Sequence, residues 1–212
     1  RTPMSIYLTF ALSLFAFTAA LSTRLLVTLL ALGQGATAAT VGLLASVLAI
    51  CPLVLSIPVG FMADRFGGRW LLFASALLTS AGVLVPVFVP GIEALYATAL
   101  LAGLGFSFNT VVLQNLVGVQ SKPGERTRNF SNYSLITASC LLFAPVLTGA
   151  FVDLAGGSAA CLYVLSLNAI NMLLLLVLGG GLPKGRGKPK EAEKSEGVTR
   201  SEEHTSELQS RL

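Results

Sequence analysis

Six long apolar runs are the feature that most constrains the fold of this chain. Each is about 20 residues long or longer, the length that crosses the roughly 30 Å hydrocarbon core of a bilayer as an α-helix. Only 11% of the residues are charged, whereas roughly a quarter are charged in an ordinary soluble domain. Because the runs are continuously apolar and do not alternate, the sequence predicts an all-α membrane protein and not a membrane barrel. The predicted spans cover residues 6–32, 38–62, 70–89, 92–119, 131–154 and 159–179.

The basic residues predict the orientation of the spans, because Lys and Arg near span ends are retained on the cytoplasmic side. The connections after the second, fourth and sixth spans are basic, whereas those after the first, third and fifth carry no Lys or Arg. We therefore expect a multi-pass protein of the cell membrane, with both ends of the six-span unit in the cytoplasm. The charges behind this prediction are Arg65, Arg69, Lys122, Arg126, Arg128, Lys184, Arg186, Lys188, Lys190 and Lys194 on the inner side, and Glu93 and Asp153 on the outer side.

Composition divides the chain into three parts. Residues 1–182 are predicted to form one six-helix bundle surrounded by the lipid bilayer. Residues 183–199 are rich in Pro, Gly and Lys, and a segment with so few apolar side chains does not bury enough surface to order itself, so we expect a flexible cytoplasmic linker. Residues 200–212 begin RSEEHTSELQS, which closely resembles the translated read-through of a common sequencing adapter. We expect these residues not to be native, and the natural protein to continue beyond residue 199.

A nine-residue pattern occurs twice, at the end of the second helix of each three-helix set. GFMADRFGG begins at Gly60 and GAFVDLAGG begins at Gly149, and both read G-x-x-x-D-x-x-G-G. Three spans separate the copies, so one faces the cytoplasm and the other, with Asp153, Gly156 and Gly157, faces outside. Gly and Asp also occur at helix ends for capping alone. Internal symmetry of this kind is found in many secondary transporters, and it predicts six transmembrane helices in a 3+3 inverted repeat.

The connection between the second and third spans resembles the signature of the major facilitator superfamily, G-x-x-x-D-[RK]-x-G-R-[RK]-[RK]. It departs from that signature at Gly68 and Trp70, where the family usually has basic residues. The resemblance covers about residues 5–182. It implies the N-terminal half of a twelve-helix transporter, whose partner would be a C-terminal six-helix half missing from this chain. The matching residues are Gly60, Asp64, Arg65, Gly67 and Arg69.

The resemblance also implies a function and a mechanism. Members of this superfamily move small solutes by alternating access, so we expect a secondary active transporter of a small organic molecule, with no cofactor and no bound metal. In the family, the aspartate that matches Asp64 contacts the start of a helix in the other half, whose positive dipole end suits a carboxylate. We therefore expect residues 60–69 to act as a conformational latch and not as a substrate site.

One stretch of the fifth span is similar to the glycine-proline signature of proton-coupled antiporters, which ends G-P-x-x-G-G. The stretch reads APVLTG and matches that signature at Pro145 and Gly149, with Ala144 and Thr148 in glycine positions. This similarity favours proton-coupled efflux, in which solute and protons are exchanged. Proton-coupled uptake by a symporter is the alternative.

Arg24 and a polar set on the fourth span are the candidate substrate contacts. A cation at the bilayer centre costs about 2.5–3.5 kcal/mol and usually faces a protein interior or a water-filled cavity. Arg24 therefore either lines a central cavity, where it meets an anionic substrate group or a carboxylate, or snorkels to the outer headgroups. Asn109, Thr110 and Gln114 have a spacing that can place them on one helical face, where they bind substrate or hold neighbouring helices together.

The sequence contains little that would serve other functions. Intramembrane serine proteolysis of the Ser/His type needs a histidine, and the single one, His204, lies in the adapter-like tail. There is no phosphate-binding loop for ATP-driven transport, and the three cysteines lack the spacing of metal ligands. We therefore expect neither an enzyme nor a nucleic-acid-binding protein. A channel, or a membrane fragment that does not itself transport, is the alternative from another class.

Overall fold

The computed structural model of the chain describes residues 4–122 and 124–181, and these are helical apart from short connections. Within this part of the chain, five helices are long and apolar enough to cross a membrane. The predicted linker at 183–199 and the adapter-like residues 200–212 lie outside the described residues. The helices are α1 (Met4–Gly33), α2 (Ala38–Phe66), α3 (Gly68–Phe88), α4 (Ile92–Gln120) and α5 (Arg126–Val177), followed by a short 3₁₀ turn at Gly179–Gly181.

The helix α5 is 52 residues long and contains two of the six predicted spans. Gly156 has φ 83° and ψ 173°, which is not helical, and it divides α5 into a first segment, residues 126–155, and a second segment, residues 157–177. The rings of Phe151 and Tyr163 stack with centroids 4.6 Å apart. Twelve residues of continuous helix would separate them by roughly 18 Å, so the chain folds back at Gly156. The six predicted spans therefore correspond to four separate helices and the two segments of α5.

The turns at the two predicted repeat motifs have the same backbone conformation. Gly67 joins α2 to α3 with φ 84° and ψ 149°, and Gly156 occupies the equivalent position between the segments of α5. This combination of positive φ and extended ψ is essentially restricted to glycine. The structure thus confirms the 3+3 repeat that the spacing of Gly and Asp predicts, and it shows which glycine makes each turn.

The two repeats are interlocked, because the first helix of each packs against the other two helices of its partner. The first helix, α1, packs mainly against α5, and α4 packs mainly against α2 and α3. Contacts within a repeat, such as those between α1 and α2 or between α2 and α3, are far fewer. The helices α1 and α4 also contact each other and form the centre of the bundle. Neither repeat is therefore a separate folding unit.

Reciprocal hydrogen bonds and small residues hold α3 against α4. The hydroxyl of Ser75 on α3 donates to the carbonyl of Gly105 on α4, with an oxygen–oxygen distance of 2.8 Å. In return, the hydroxyl of Thr98 on α4 donates to the carbonyl of Gly82 on α3, also at 2.8 Å. A Cβ on Gly82 would lie 3.1 Å from the Cβ of Leu101, so the backbones approach as closely as glycine allows.

Two phenylalanines at equivalent positions of the repeats meet at the centre of the bundle. When Gly60 is aligned with Gly149, Phe17 of α1 aligns with Phe106 of α4. Their rings form an edge-to-face pair with centroids 5.8 Å apart, and Tyr133 of α5 forms a second edge-to-face pair with Phe17, with centroids 6.0 Å apart. The axis that relates the two repeats therefore passes close to this aromatic pair.

The conformation of Gly156 leads to a prediction about stability. We expect Gly156→Ala to lower the free energy of unfolding by about 1–3 kcal/mol, because a side chain is strained at this φ and ψ. A Cβ at Gly156 would meet nothing within 4 Å, so the loss would come from the backbone alone. The control is Gly42→Ala, since Gly42 lies inside α2 with equally open surroundings and alanine favours a helix. Equal thermal unfolding midpoints for the two purified variants would contradict this assignment.

Candidate functional site

The basic residues of the described connections lie together at one end of the bundle, which we call the basic end. Thr9, near the start of α1, donates to the side chain of Gln120 at the end of α4, with an oxygen–oxygen distance of 3.1 Å. A guanidinium nitrogen of Arg69, at the start of α3, donates to the carbonyl of Leu176 at the end of α5, with a distance of 3.3 Å. The opposite end, which we call the acidic end, carries Glu93 and Asp153. The structure thus places the charges of the two sides as the sequence predicts.

The basic-end turn, residues 60–69, is built from residues with different roles. Gly60 is open, since a Cβ there would meet nothing within 4 Å. Asp64 and Arg65 are exposed, and Asp64 forms no hydrogen bond or ion pair with the described residues. Gly68 packs tightly, because a Cβ added to it would lie 3.0 Å from the side chain of Val112. The carboxylate of Asp64 is therefore exposed on a turn whose Gly68 is packed against α4.

The tie between Arg69 and Leu176 is a feature that the sequence did not predict. It joins the basic-end turn to the end of α5, and the aliphatic part of the Arg69 side chain also packs against Gly179. A cation at the C-terminal end of a helix satisfies a free carbonyl and interacts favourably with the helix dipole. Arg69 therefore joins the basic-end turn to α5 and also contributes to the positive charge of the basic end.

The side chain of Arg24 lies near the middle of the bundle and not at its acidic end. The guanidinium carbon is 6.0 Å from the ring centroid of Phe106, which is at the midpoint of α4. A small cavity beside it is lined by Ala20, Leu48, Ala102 and the Phe106 ring. Arg24 is nevertheless exposed, and it forms no ion pair with any described residue. Arg24 is therefore an exposed cation at mid-depth whose charge no carboxylate of the described residues balances, and it makes a cation–π contact with Phe106.

The polar residues of α4 do not share one face, in contrast to the expectation from their spacing. Asn109 is buried, with 4% of its surface exposed, and its Oδ1 has no hydrogen-bond partner among the described residues. Gln114 is exposed, and the Thr110 hydroxyl donates to the Phe106 carbonyl at 2.9 Å. Five residues of helix rotate a side chain by about 140°, which separates Asn109 from Gln114. Of this set, Gln114 is the residue that points away from the packed interior.

Two equivalent faces of α2 and of the first segment of α5 are left uncovered by the described chain. Each buries one narrow stripe, in which Cys51 of α2 aligns with Cys140 of α5. Each also exposes small residues along another stripe. These are Gly42, Ala49 and Ser56 on α2 and Ser131, Ser134 and Ala138 on α5. Small residues of this kind let another helix approach closely.

The antiporter-like stretch lies within the first segment of α5. Pro145 is half-buried, and a Cβ on Gly149 would meet nothing within 4 Å. Ala144 and Thr148, which stand in glycine positions of the signature, are both fully buried, and the Thr148 hydroxyl donates to the Ala144 carbonyl. Gly149 is thus the one position of this stretch that leaves room for a close approach from outside.

No cluster of three or more His, Cys, Asp or Glu residues that could hold a metal lies within residues 4–122 and 124–181. Cys51, Cys140 and Cys161 are free and buried.

Taken together, the fold and the site define a multi-pass α-helical membrane protein built from two interlocked, inverted three-helix repeats with a cation at mid-depth. The chain belongs to the major facilitator superfamily, whose family model matches residues 6–210. A search of curated protein sequences gives no match.

Among solved structures, the chain is similar to transporters of known fold. One is the peptide transporter POT in complex with sulfate, with a TM-score of 0.75 and 18% identity over 100% of this chain and 46% of that one. Another is a POT family transporter in complex with 5-aminolevulinic acid, with a TM-score of 0.77 and 17% identity over 98% of this chain and 46% of that one. At these identities the likeness shows the fold. The chain spans less than half the length of these relatives.

The burial of Asn109 leads to a second prediction about stability. We expect Asn109→Leu to leave the thermal unfolding midpoint unchanged or to raise it, because no hydrogen bond to the described residues is lost. The comparison is Thr98→Val, which removes the bond to the Gly82 carbonyl and should cost roughly 0.6 kcal/mol or more. A fall in midpoint for Asn109→Leu as large as that for Thr98→Val would show that Asn109 has a polar partner that matters.

Proposed function

We propose that this chain forms the N-terminal half of a secondary active transporter, which moves a small organic solute across the membrane by alternating access. The observation that carries the proposal is the exposed guanidinium of Arg24 at mid-depth, beside Phe106. A cation at this depth is retained where it faces a water-filled cavity or a partner of opposite charge. In transporters built from inverted repeats, the substrate site lies at this level, between units that rock against each other.

A second six-helix half would complete the site. The uncovered small-residue stripes of α2 and of the first segment of α5 lie on equivalent helices of the two repeats, which suits two equivalent contacts with such a half. The solved structures of similar fold are more than twice as long as this chain, which supports the same proposal. In the assembled transporter, Arg24 and Gln114 would face the cavity between the halves.

The chemistry of Arg24 indicates the kind of group that it meets. Arginine stays charged and recognises carboxylates and phosphates through a planar fork of donors. Its guanidinium has no carboxylate partner among the described residues, so its counter-charge comes from elsewhere. We propose that this is an anionic group of the solute or a carboxylate of the other half.

For the direction of transport, we propose proton-coupled efflux. The supporting observation is the antiporter-like stretch around Pro145 and Gly149. In the described helices, the acidic side chains near the spans are Asp64, Glu93 and Asp153, and each lies at an end of a helix and not at mid-depth. A proton-carrying carboxylate would therefore belong to the other half or be one of these acids at the helix ends.

The role of Arg24 is tested by transport in proteoliposomes that contain the full-length protein. We expect Arg24→Gln to lower the apparent affinity for the solute or the transport rate by about tenfold or more, which corresponds to about 1.4 kcal/mol. Arg24→Lys should retain part of the activity, because it keeps the charge but loses the planar fork. The control is Arg128→Gln, which removes a highly exposed arginine from the basic end. Unchanged affinity and pH dependence in Arg24→Gln would exclude a cavity role.

The same proteoliposomes distinguish the proposed mechanism from its alternatives. With an imposed pH gradient, an antiporter moves solute against the direction of proton flow, whereas a symporter moves both in the same direction. A channel would carry solute only down its own gradient, and a fragment that does not transport would show no flux. Solute accumulation that follows the inward proton gradient would favour uptake over efflux.

The proposed latch at the basic end has its own test. We expect Asp64→Asn to lower the turnover number several-fold with little change in solute affinity, because Asp64 would stabilise one conformation and would not touch the solute. The control is Glu125→Gln, which neutralises another exposed carboxylate at the same end. If affinity and turnover fell together in Asp64→Asn, the latch assignment would be wrong.

A further inference from the structure

We propose that the acidic-end turn, residues 149–157, is a second docking site, which receives the positive N-terminal end of a helix from the other half and closes the acidic side of the transporter. This inference rests on the proposed alternating-access function. It concerns a part of the chain that the signature of the basic end does not include, and the geometry of the turn carries it.

The two turns share the same construction at each of four positions. Gly149 is as open as Gly60, because a Cβ at either would meet nothing within 4 Å. Asp153, like Asp64, is exposed and forms no hydrogen bond or ion pair with the described residues. The third position of each motif is a glycine with positive φ, Gly67 or Gly156. The fourth is a glycine with close neighbours, Gly68 or Gly157, and a Cβ on Gly157 would lie 2.8 Å from Leu30.

The two turns lie at opposite ends of the bundle. Gly157 packs against Leu30, near the end of α1, whereas Gly68 packs against Val112 and Leu116, near the end of α4. Because α1 and α4 are equivalent helices of the two repeats, each turn places its second glycine against the first helix of the other repeat, although not against equivalent residues. A surface that receives a helix end on the basic side is therefore repeated on the acidic side.

The exposed part of the acidic-end turn suits one kind of partner. Gly149 and Asp153 are four residues apart in a helix, so they lie on the same face, one turn from each other. An open glycine lets another backbone approach closely, and an unpaired carboxylate beside it attracts the positive N-terminal end of a helix. The positions that hold Arg65 and Arg69 at the basic end are Leu154 and Ser158 here. Asp153 is then the charge on which docking at this end depends.

Side-chain contacts join the base of the acidic-end turn to the rest of the bundle. The rings of Phe151 and Tyr163 stack across the turn at 4.6 Å, and Gly157 is packed on Leu30. The ring pair joins the two segments of α5 to each other, and the contact with Leu30 joins the turn to α1. The carboxylate of Asp153 is thus presented from a stable turn, as that of Asp64 is at the other end.

The test uses the full-length transporter in proteoliposomes, with a single cysteine introduced as Thr28→Cys and every native cysteine, including Cys51, Cys140 and Cys161, replaced by alanine. Residue 28 follows Arg24 by one helical turn toward the acidic end and is half-buried, so its labelling from that side reports whether the cavity is open there. The probe is a membrane-impermeant maleimide. We expect Asp153→Asn to raise the labelling rate roughly threefold or more, and Asp64→Asn to lower it by a similar factor.

Two further variants keep the test decisive. Asp153→Glu retains the charge and should label at close to the parental rate, whereas Glu125→Gln neutralises an exposed carboxylate at the basic end and should have no effect. An unchanged or lowered rate in Asp153→Asn, or an equal rise in Asp153→Glu, would overturn the docking site. If Asp64→Asn still lowered the labelling rate and solute transport persisted, the proposed function would stand without the acidic-end docking site. Absence of gradient-driven transport in the parental protein would instead reject the proposed function.

Discussion

The first helix of each repeat packs against the other repeat, and the rest of the structure depends on this arrangement. In a bilayer, lipid tails are as apolar as leucine, so helices associate through close packing and hydrogen bonds. The bonds from Ser75 to Gly105 and from Thr98 to Gly82 satisfy these requirements at the contact of α3 with α4. Because α1 packs on α5 and α4 on α2 and α3, most contacts between helices join the two repeats to each other. The six helical segments therefore form one packed unit.

The parts of the fold that follow from local chemistry were predictable from the sequence. Span length and hydropathy gave the helices, and the paired motifs at Gly60 and Gly149 gave the repeat and both turns. Gly67 and Gly156 could be anticipated because glycine at a helix end commonly takes a positive φ. What could not be read from the sequence is how helices pack. The burial of Asn109 depends on where α4 meets its neighbours, and the bond from Arg69 to Leu176 joins residues far apart in the chain.

Arg24 illustrates the same division between what the sequence predicts and what packing decides. The sequence identified it as the one cation within a span and left open whether it faces a cavity or the outer headgroups. In the structure, the guanidinium carbon of Arg24 lies 6.0 Å from the ring centroid of Phe106. Because Phe106 is at the midpoint of α4, the Arg24 side chain lies near the middle of the bundle. Phe106 is itself held by Phe17, its equivalent in the other repeat. The position of the charge thus follows from the crossing of α1 and α4.

The two turns have the same backbone conformation but are held by different side-chain contacts. This difference follows from the presence of arginines at the basic end alone. At the basic end, Arg69 ties the turn to the end of α5 through the Leu176 carbonyl. Cations are disfavoured on the outer side of a membrane protein, and Ser158 stands at the equivalent position. The acidic end relies instead on the stacked rings of Phe151 and Tyr163. An internal repeat that crosses the membrane in both directions can therefore keep its glycine and aspartate frame, while each copy needs its own means of fixing it.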